Sequence, residues 1–262
     1  MASTGKFGLS FSYISCDGIR DVFVEVERQR ADYGVVPVEN SNEGVVNHTL
    51  DMFVDSELKI CGEILLEINH SLLSKQTDIS LIRKVFSHHQ TIAQTRKWLR
   101  EHLPKADIVE VSSNARAAEL AAESPSSGAI ASQQAAEIYD LNVVSERIED
   151  NANNITRFLV TGLKAVSPSG NDKTSIMFSA RDKVGALCHL LEPFSRNRVN
   201  LTKIESRPLK RKPWEYFFFL DMQGHLEDEP VKRSLAELKE EASTFKILGS
   251  YPAADFQTTH KD

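Results

Sequence analysis

The sequence predicts an α/β protein in two parts, a larger region of alternating strands and helices followed by a smaller βαββαβ unit. Three observations carry this. Before residue 163, strand-like runs pass repeatedly into helical patterns; residues 163–173 are rich in Ser, Gly, Pro and charge; beyond them the order of elements changes. With 262 residues, 41% of them hydrophobic, the chain can bury a sizeable core in one large domain or two modest ones.

In the first part, "DYGVVPV" (32–38) leads into "GVVNHTLDMFV" (44–54), and "IRKVFS" (82–87) into "HHQTIAQTRKWLREHL" (88–103). "ADIVEVS" (106–112) leads into "SNARAAELAAES" (113–124), and "GAIAS" (128–132) into "QQAAEIYDL" (133–141). Strands alternating with helices of this length predict βαβ units around a mostly parallel sheet. "ITRFLVTG" (155–162) reads as a further strand, and "LKAVSPSGNDK" (163–173) as a linker. The expected domains are therefore 1–162 and 174–262. In the second, "TSIMFSA", "GALCHLLEPFSRNR", "VNLTKIESRPL", "EYFFFLDMQG", "EPVKRSLAELKEEA" and "TFKILGSYP" give the ferredoxin-like order. Leu187, Leu190, Leu191 and Phe194 share one helix face, as do Val231, Leu235 and Leu238. "LKRKP" (209–213) reads as a solvated hairpin loop.

A net charge of −6 with scattered Lys and Arg argues against nucleic acid or an anionic membrane as partner, and points to a small ligand. Three cysteines, Cys16, Cys61 and Cys188, lie far apart and form no CxxC pair. That pattern suits a reducing cytoplasm. No signal peptide and no apolar run of membrane-spanning length is apparent, so a soluble protein is expected.

Open α/β sheets bind ligands where strands end and helices begin, because free N–H groups and the helix dipole favour an anion. Asn40 and Ser41 follow one strand, Ser87 and His88 a second, and Ser112, Ser113 and Asn114 a third. Each junction combines small hydroxyl or amide groups with an expected helix start, which suits a carboxylated ligand or, at any one of them, plain N-capping. None has the glycine spacing of a nucleotide-phosphate loop. Adjacent His88 and His89 point about a hundred degrees apart on a helix, so no metal is expected there.

At these residues the chain resembles the prephenate dehydratases that carry a C-terminal ACT domain. "GVVPVENSNEGVVNHTLD" resembles the family's first active-site loop and helix, and "SHHQTIAQTRKWL" its Ser-His-x-Gln-x3-Gln segment, with His89 where Pro or another residue is commoner. "DNANNITRFLV" carries a Thr-Arg-Phe signature at Thr156, Arg157 and Phe158, and "GALCHLLEPF" with "NLTKIESRP" is similar to the two effector segments of the ACT domain. The resemblance runs from about Lys6 to Pro252.

It implies a two-lobed catalytic domain of the type II periplasmic-binding-protein-like class, followed by a ferredoxin-like ACT domain. The implied reaction takes prephenate to phenylpyruvate in phenylalanine synthesis, with L-phenylalanine as feedback inhibitor and no cofactor or metal. Thr156 is implied as the general acid. Asn40, Ser41, Ser87, His88, Gln94 and Ser113 are implied as substrate-binding groups, with Arg157 ordering the site or neutralising a carboxylate. Gln94 lies seven residues beyond Ser87, which two turns of one helix would bring to the same face. Lobes closing over the ligand would give decarboxylation the drier site it favours. Gly185, Ala186, Leu187, Asn200, Leu201, Thr202, Glu205 and Ser206 are implied to line a phenylalanine pocket between paired ACT domains, hence a homodimer or homotetramer.

The family's opening strand, Gly-Pro-x-Gly-Thr loop and helix have no match ahead of "KFGLSFSYISC", so the catalytic domain reads as N-terminally truncated, with no chorismate mutase domain upstream. Two alternatives remain at this point: an arogenate dehydratase, and a catalytically impaired phenylalanine-binding protein.

Overall fold

The computed structural model describes residues 2–8, 10–42, 44–151, 153–180, 183–208 and 216–254. The expected loop at 209–213 lies outside them. The chain divides into two compact units, residues 1–66 with 156–262, and residues 67–155.

In the first unit, helices α1 (Ala2–Phe7) and α2 (Ile19–Glu27) precede strand β1 (Tyr33–Asn40). No strand forms ahead of Tyr33 among the described residues. Ile19, Val22, Phe23 and Val26 recur at helical spacing, and this stripe turns α2 onto β1. Strand β2 (Gly44–Val45) folds back antiparallel on the end of β1, before helix α3 (Asn47–Asp55) and strand β3 (Lys59–Glu67).

The second unit holds strand β4 (Ser71–Ser74), β5 (Lys84–His88), helices α4 (His89–Gln94) and α5 (Arg96–His102), and β6 (Asp107–Val111). Helix α6 (Asn114–Glu123), β7 (Ser127–Ala131), α7 (Gln133–Tyr139) and β8 (Asn142–Ser145) complete it. The sheet order is β6-β5-β7-β4-β8. Strand β5 pairs parallel with β6 and β7, whereas β4 runs antiparallel to β7 and β8. The sheet is therefore mostly parallel as expected, with β5, β6, β7 and β8 running one way and β4, the strand by which the chain enters the unit, running the other. Ala117, Ala118 and Ala121 of α6 are fully buried with Ala129, Ala131, Ala135 and Ala136, so small side chains let helix and strand approach closely.

The expected single helix over 88–103 is broken at Thr95. The Asp150 carboxylate accepts from the N–H groups of Lys97 (2.8 Å) and Trp98 (3.0 Å), capping α5 as a separate helix. Ser87 lies on β5, not on α4, so the helical-phase argument pairing it with Gln94 does not hold.

Strand β9 (Ile155–Gly162) returns to the first unit and pairs antiparallel with β1, giving the order β2-β1-β9-β3. Then follow β10 (Asp172–Ser179), helix α8 (Ala186–Arg196), β11 (Leu201–Pro208), β12 (Tyr216–Gln223), helix α9 (Glu229–Glu241) and β13 (Thr244–Pro252). This is the predicted βαββαβ order, with sheet order β11-β12-β10-β13. Residues 172 and 173 of the expected linker already belong to β10, where the Asp172 carbonyl accepts from Gly224 N–H.

Both faces of the second sheet are covered. Ile176, Phe178, Leu220 and Met222 meet Leu190, Phe194, Val231, Leu235 and Leu238 of α8 and α9, the faces read from helical spacing. Met177, Phe219, Leu248 and Tyr251 point the other way, into the core that holds Phe23, Val36, Phe53, Ile60 and Leu159. Lys246 of β13 donates to the Phe53 and Ser56 carbonyls at the end of α3, where a cation also meets the negative end of the helix dipole. Strands β13 and β3 come so close that only glycine fits: a Cβ on Gly249 would run into the Ile60 carbonyl oxygen and sit 2.8 Å from its amide nitrogen.

Gly249→Ala should therefore destabilise the protein by about 1–3 kcal/mol through overpacking. Gly62→Ala, whose added carbon would meet Val160 at an ordinary 3.7 Å, should be close to neutral. Thermal melts of the two variants test this, and equal melting temperatures would show that β13 yields freely at Ile60.

Candidate active site

Thr156 and Asn40 face each other across the β1–β9 ladder. The Asn40 side-chain oxygen accepts the N–H of Asn42 (2.8 Å), an Asx turn that closes the β1–β2 connection. With the oxygen committed, the amide nitrogen must face Thr156, and it donates to Oγ1 at 2.8 Å. The threonine hydroxyl therefore acts as acceptor towards Asn40 and keeps its own proton for another group. Asn40 and Ser41 do not stand at a helix start as expected. Helix α3 begins only at Asn47, because Gly44, with φ +84°, turns the chain back into β2.

Beside this pair, Glu39 lies opposite Arg157. Arg157 is buried, and its guanidinium points inward. Nε donates to Glu63 (2.6 Å), Nη1 to Glu39 (2.9 Å) and Asp221 (2.7 Å), and Nη2 to the Tyr251 hydroxyl (3.0 Å). Ser175 joins Asp221 (2.6 Å) to Tyr251 (2.7 Å), while Lys173 binds Glu63 (2.8 Å) and Lys203 binds Glu39 (2.6 Å). Burial works against charge on Glu39 and Glu63, yet the neighbouring cations outweigh it and hold both carboxyls below their ordinary value. Burial alone would also lower the Arg157 value, but Tyr251 and the surrounding carboxylates raise it, so the guanidinium stays charged. Burial, reinforced by Asp221, pushes the Tyr251 phenol up and keeps it neutral. Arg157 thus ties together groups from four strands.

The second unit carries its own polar cluster. The Asn114 side-chain oxygen accepts from the His88 N–H (3.1 Å) and at 3.4 Å from the Ser87 hydroxyl, and its nitrogen donates to Thr91 (2.9 Å). Ser87 is fully buried, while His88 is half-buried at the start of α4. The Gln94 side-chain oxygen accepts from Asn154 (3.1 Å) and meets His70 Nε2 at 2.7 Å, so that imidazole nitrogen carries the proton. Ser113 accepts from the Arg116 N–H (3.1 Å) and is the N-cap of α6. Asn114 was part of the third junction read from the sequence, whereas Asn154 and His70 were not singled out as ligand-binding groups. "DNANN" signals part of this, since amide side chains crowded ahead of a strand serve to tie loops.

In the C-terminal sheet, Gly185 caps α8 with φ +79°. An added Cβ would meet His189 at an ordinary 3.4 Å, so the demand for glycine here is conformational rather than steric. Ala186 and Leu187 are half-buried beside fully exposed Val184; Asn200, Thr202 and Ser206 are exposed, and Leu201 and Glu205 half-buried. Among the described residues, no three His, Cys, Asp or Glu side chains gather as a metal site, and no helix is long and apolar enough to cross a membrane.

Residues 1–165 match the family described as prephenate dehydratase, and residues 174–240 match the ACT domain. The bifunctional chorismate mutase/prephenate dehydratase of Aquifex aeolicus is 52% identical over 251 residues, covering 96% of this chain and 69% of that protein. The solved prephenate dehydratase from Arthrobacter aurescens in complex with L-Phe superposes with TM-score 0.82 at 36% identity, over 91% of this chain and 81% of that one. GqqA, described as a novel type of quorum quenching acylase, superposes with TM-score 0.87 at 28% identity, over 97% and 93% of the two chains.

The Arg157 network gives stability a defined pH dependence. The Glu39 and Glu63 values lie below the ordinary 4.5, so their contribution is complete above that pH and is lost as pH falls through the lower folded values. Glu63→Gln, which unbalances a buried charge, should cost about 3–5 kcal/mol at neutral pH. That difference from the parent should narrow on acidification below about pH 4.5. A gap in denaturant midpoints that stays constant down to about pH 3 would show that the charge on Glu63 does not hold the network.

Proposed function

The chain belongs to the prephenate dehydratase family, with an ACT domain as its C-terminal part, and we propose that it converts prephenate to phenylpyruvate under control by L-phenylalanine. The observation that carries this reading is the Asn40–Thr156 pair. The substrate loses carbon dioxide as the C–COO⁻ bond breaks; its electron pair moves through the ring, and the C–OH bond breaks at the far side. The departing hydroxide needs a proton. Thr156 supplies it, because the donated Asn40 bond commits its oxygen as acceptor and leaves its proton free to transfer. The same Asn40 N–H steadies the charge that develops on the threonine oxygen, which makes a weak acid a stronger one. Water restores the proton afterwards.

We assign His88, Gln94 and Ser41 to contacts with the substrate. Asn114, itself met by the Ser87 hydroxyl, accepts the His88 backbone N–H, and Asn154 with His70 holds Gln94, an arrangement that fixes these groups before a ligand arrives. Gly185, Ala186, Leu187, Asn200, Leu201, Thr202, Glu205 and Ser206 take phenylalanine between ACT domains of a homodimer or homotetramer. Exposed Val184 and Ile204 beside them supply apolar surface for that pairing. The reaction is placed in the cytoplasm, with no nucleic acid or membrane as partner. Neither arogenate as substrate nor a non-catalytic sensor is favoured by the relatives.

Thr156→Ala and Thr156→Val should fold normally and lose a factor of about a hundred or more in kcat, with KM little changed. Asn40→Asp should do much the same, because a carboxylate there would draw the threonine proton towards itself. Phenylpyruvate formation followed by absorbance checks all three, and near-parental turnover in a folded Thr156→Ala protein would remove Thr156 from the chemistry.

Gly185→Val should abolish phenylalanine binding and inhibition while leaving uninhibited turnover intact, since valine is strained at positive φ. Calorimetry with phenylalanine decides this. Unchanged affinity in the variant would place the effector elsewhere.

A further inference from the structure

We propose that Glu39 and Asp221 are positioning residues for Thr156, acting through Arg157, and that Lys203 connects this arrangement to the effector strand. The inference rests on the reading above and names the contacts by which one domain is felt in the other.

Strand β11 alternates strictly in burial from Leu201 to Pro208. Thr202 and Ser206, on the effector side, are exposed; Lys203 and Arg207 turn the other way and bind Glu39 (2.6 Å) and Asp51 (2.9 Å). Thr202 is itself a bulge, skipped between the ladder pairs Leu201↔Met222 and Lys203↔Asp221. Val38 is a second bulge, skipped between Pro37↔Phe158 and Glu39↔Arg157. The Lys203–Glu39 ion pair therefore joins two strands, each at the residue that follows a bulge. Bulges are where a strand can change its twist without losing its ladder.

From Glu39 the path is short. Glu39 and Asp221 share Nη1 of Arg157, at 2.9 and 2.7 Å, and the next ladder pair is Asn40↔Thr156. Lys203 and Asp221 are themselves register partners in the C-terminal sheet. A change at Thr202 thus reaches two of the three carboxylates that bind Arg157, the two on Nη1. An effector can shift an equilibrium only through contacts that differ between states. The charge-assisted Lys203–Glu39 bond, one ladder step from the Asn40↔Thr156 pair, is a contact of that kind. The Arg207–Asp51 pair leaves the same face of the same strand but ends on α3, outside the Thr156 ladder. It serves as an internal control.

Three single variants of the full chain, Lys203→Met, Arg207→Met and Asp221→Asn, test this by calorimetry with phenylalanine, prephenate turnover with and without saturating phenylalanine, and thermal melting. Lys203→Met should bind phenylalanine within about twofold of the parent, yet lose about five- to a hundredfold of inhibition relative to its own uninhibited kcat, the usual size of such couplings. Arg207→Met should melt lower but remain inhibited. Asp221→Asn should lose about ten- to a hundredfold in kcat at unchanged KM, although it lies in the other domain, because misplacement of the acid costs rate rather than binding. Lys203→Gln replaces Lys203→Met if the latter fails to fold. Parental inhibition in the folded Lys203 variant, equal loss in the Arg207 variant, or parental kcat in Asp221→Asn overturns the proposal. A parent that neither turns over prephenate nor binds phenylalanine overturns the functional reading first, and this inference with it.

Discussion

A charged guanidinium almost wholly out of water must be met by carboxylates, and Arg157 draws them from three strands of two sheets. Glu39 comes from β1, Glu63 from β3 and Asp221 from β12, with the Tyr251 hydroxyl from β13. Lys173 and Lys203 bind two of these carboxylates in turn, so three cations face three anions. Desolvation of that many charges makes the network a poor source of net stability. Its physical value is specificity. Slipping β9 by one residue against β1 would turn Arg157 outward and leave the carboxylates unpaired in the core.

The same constraint makes the first lobe and the ACT sheet one unit. Met177, Phe219, Leu248 and Tyr251 lie on the face of the sheet away from its helices, and they would meet water if the lobe were removed. Asp221 and Tyr251 would lose the Arg157 guanidinium at the same time. The regulatory domain is therefore not an appendage on a linker. Its inner face is packed against the first lobe and supplies two of the partners of Arg157, while α8 and α9 cover the opposite face.

Periodicity made the helices and most strands legible. The faces of α8 and α9 followed from spacing alone, and the βαββαβ order from the alternation of patterns. What failed has a common cause in contacts made at long sequence separation. The helix over 88–103 reads as continuous because Asp150, which breaks it, lies far along the chain. Asn40 reads as a helix cap because no local signal distinguishes an Asx turn before a short β-return from one before a helix. The two-sided burial of the C-terminal sheet left a trace in "YFFFL", an apolar run without alternation, which is the mark of a strand covered on both faces. Asp221, polar at the end of that run, was the residue to question.

The likeness to GqqA at TM-score 0.87 shows that the backbone alone does not choose the chemistry. In this chain the Asn40 amide donates to Thr156. The amide is turned by a turn, the turn is set by the end of β1, and β1 is held in register by Glu39 against Arg157. Each of these steps is fixed by groups already in place, and a buried guanidinium with three carboxylate partners stands one residue from the Thr156 hydroxyl.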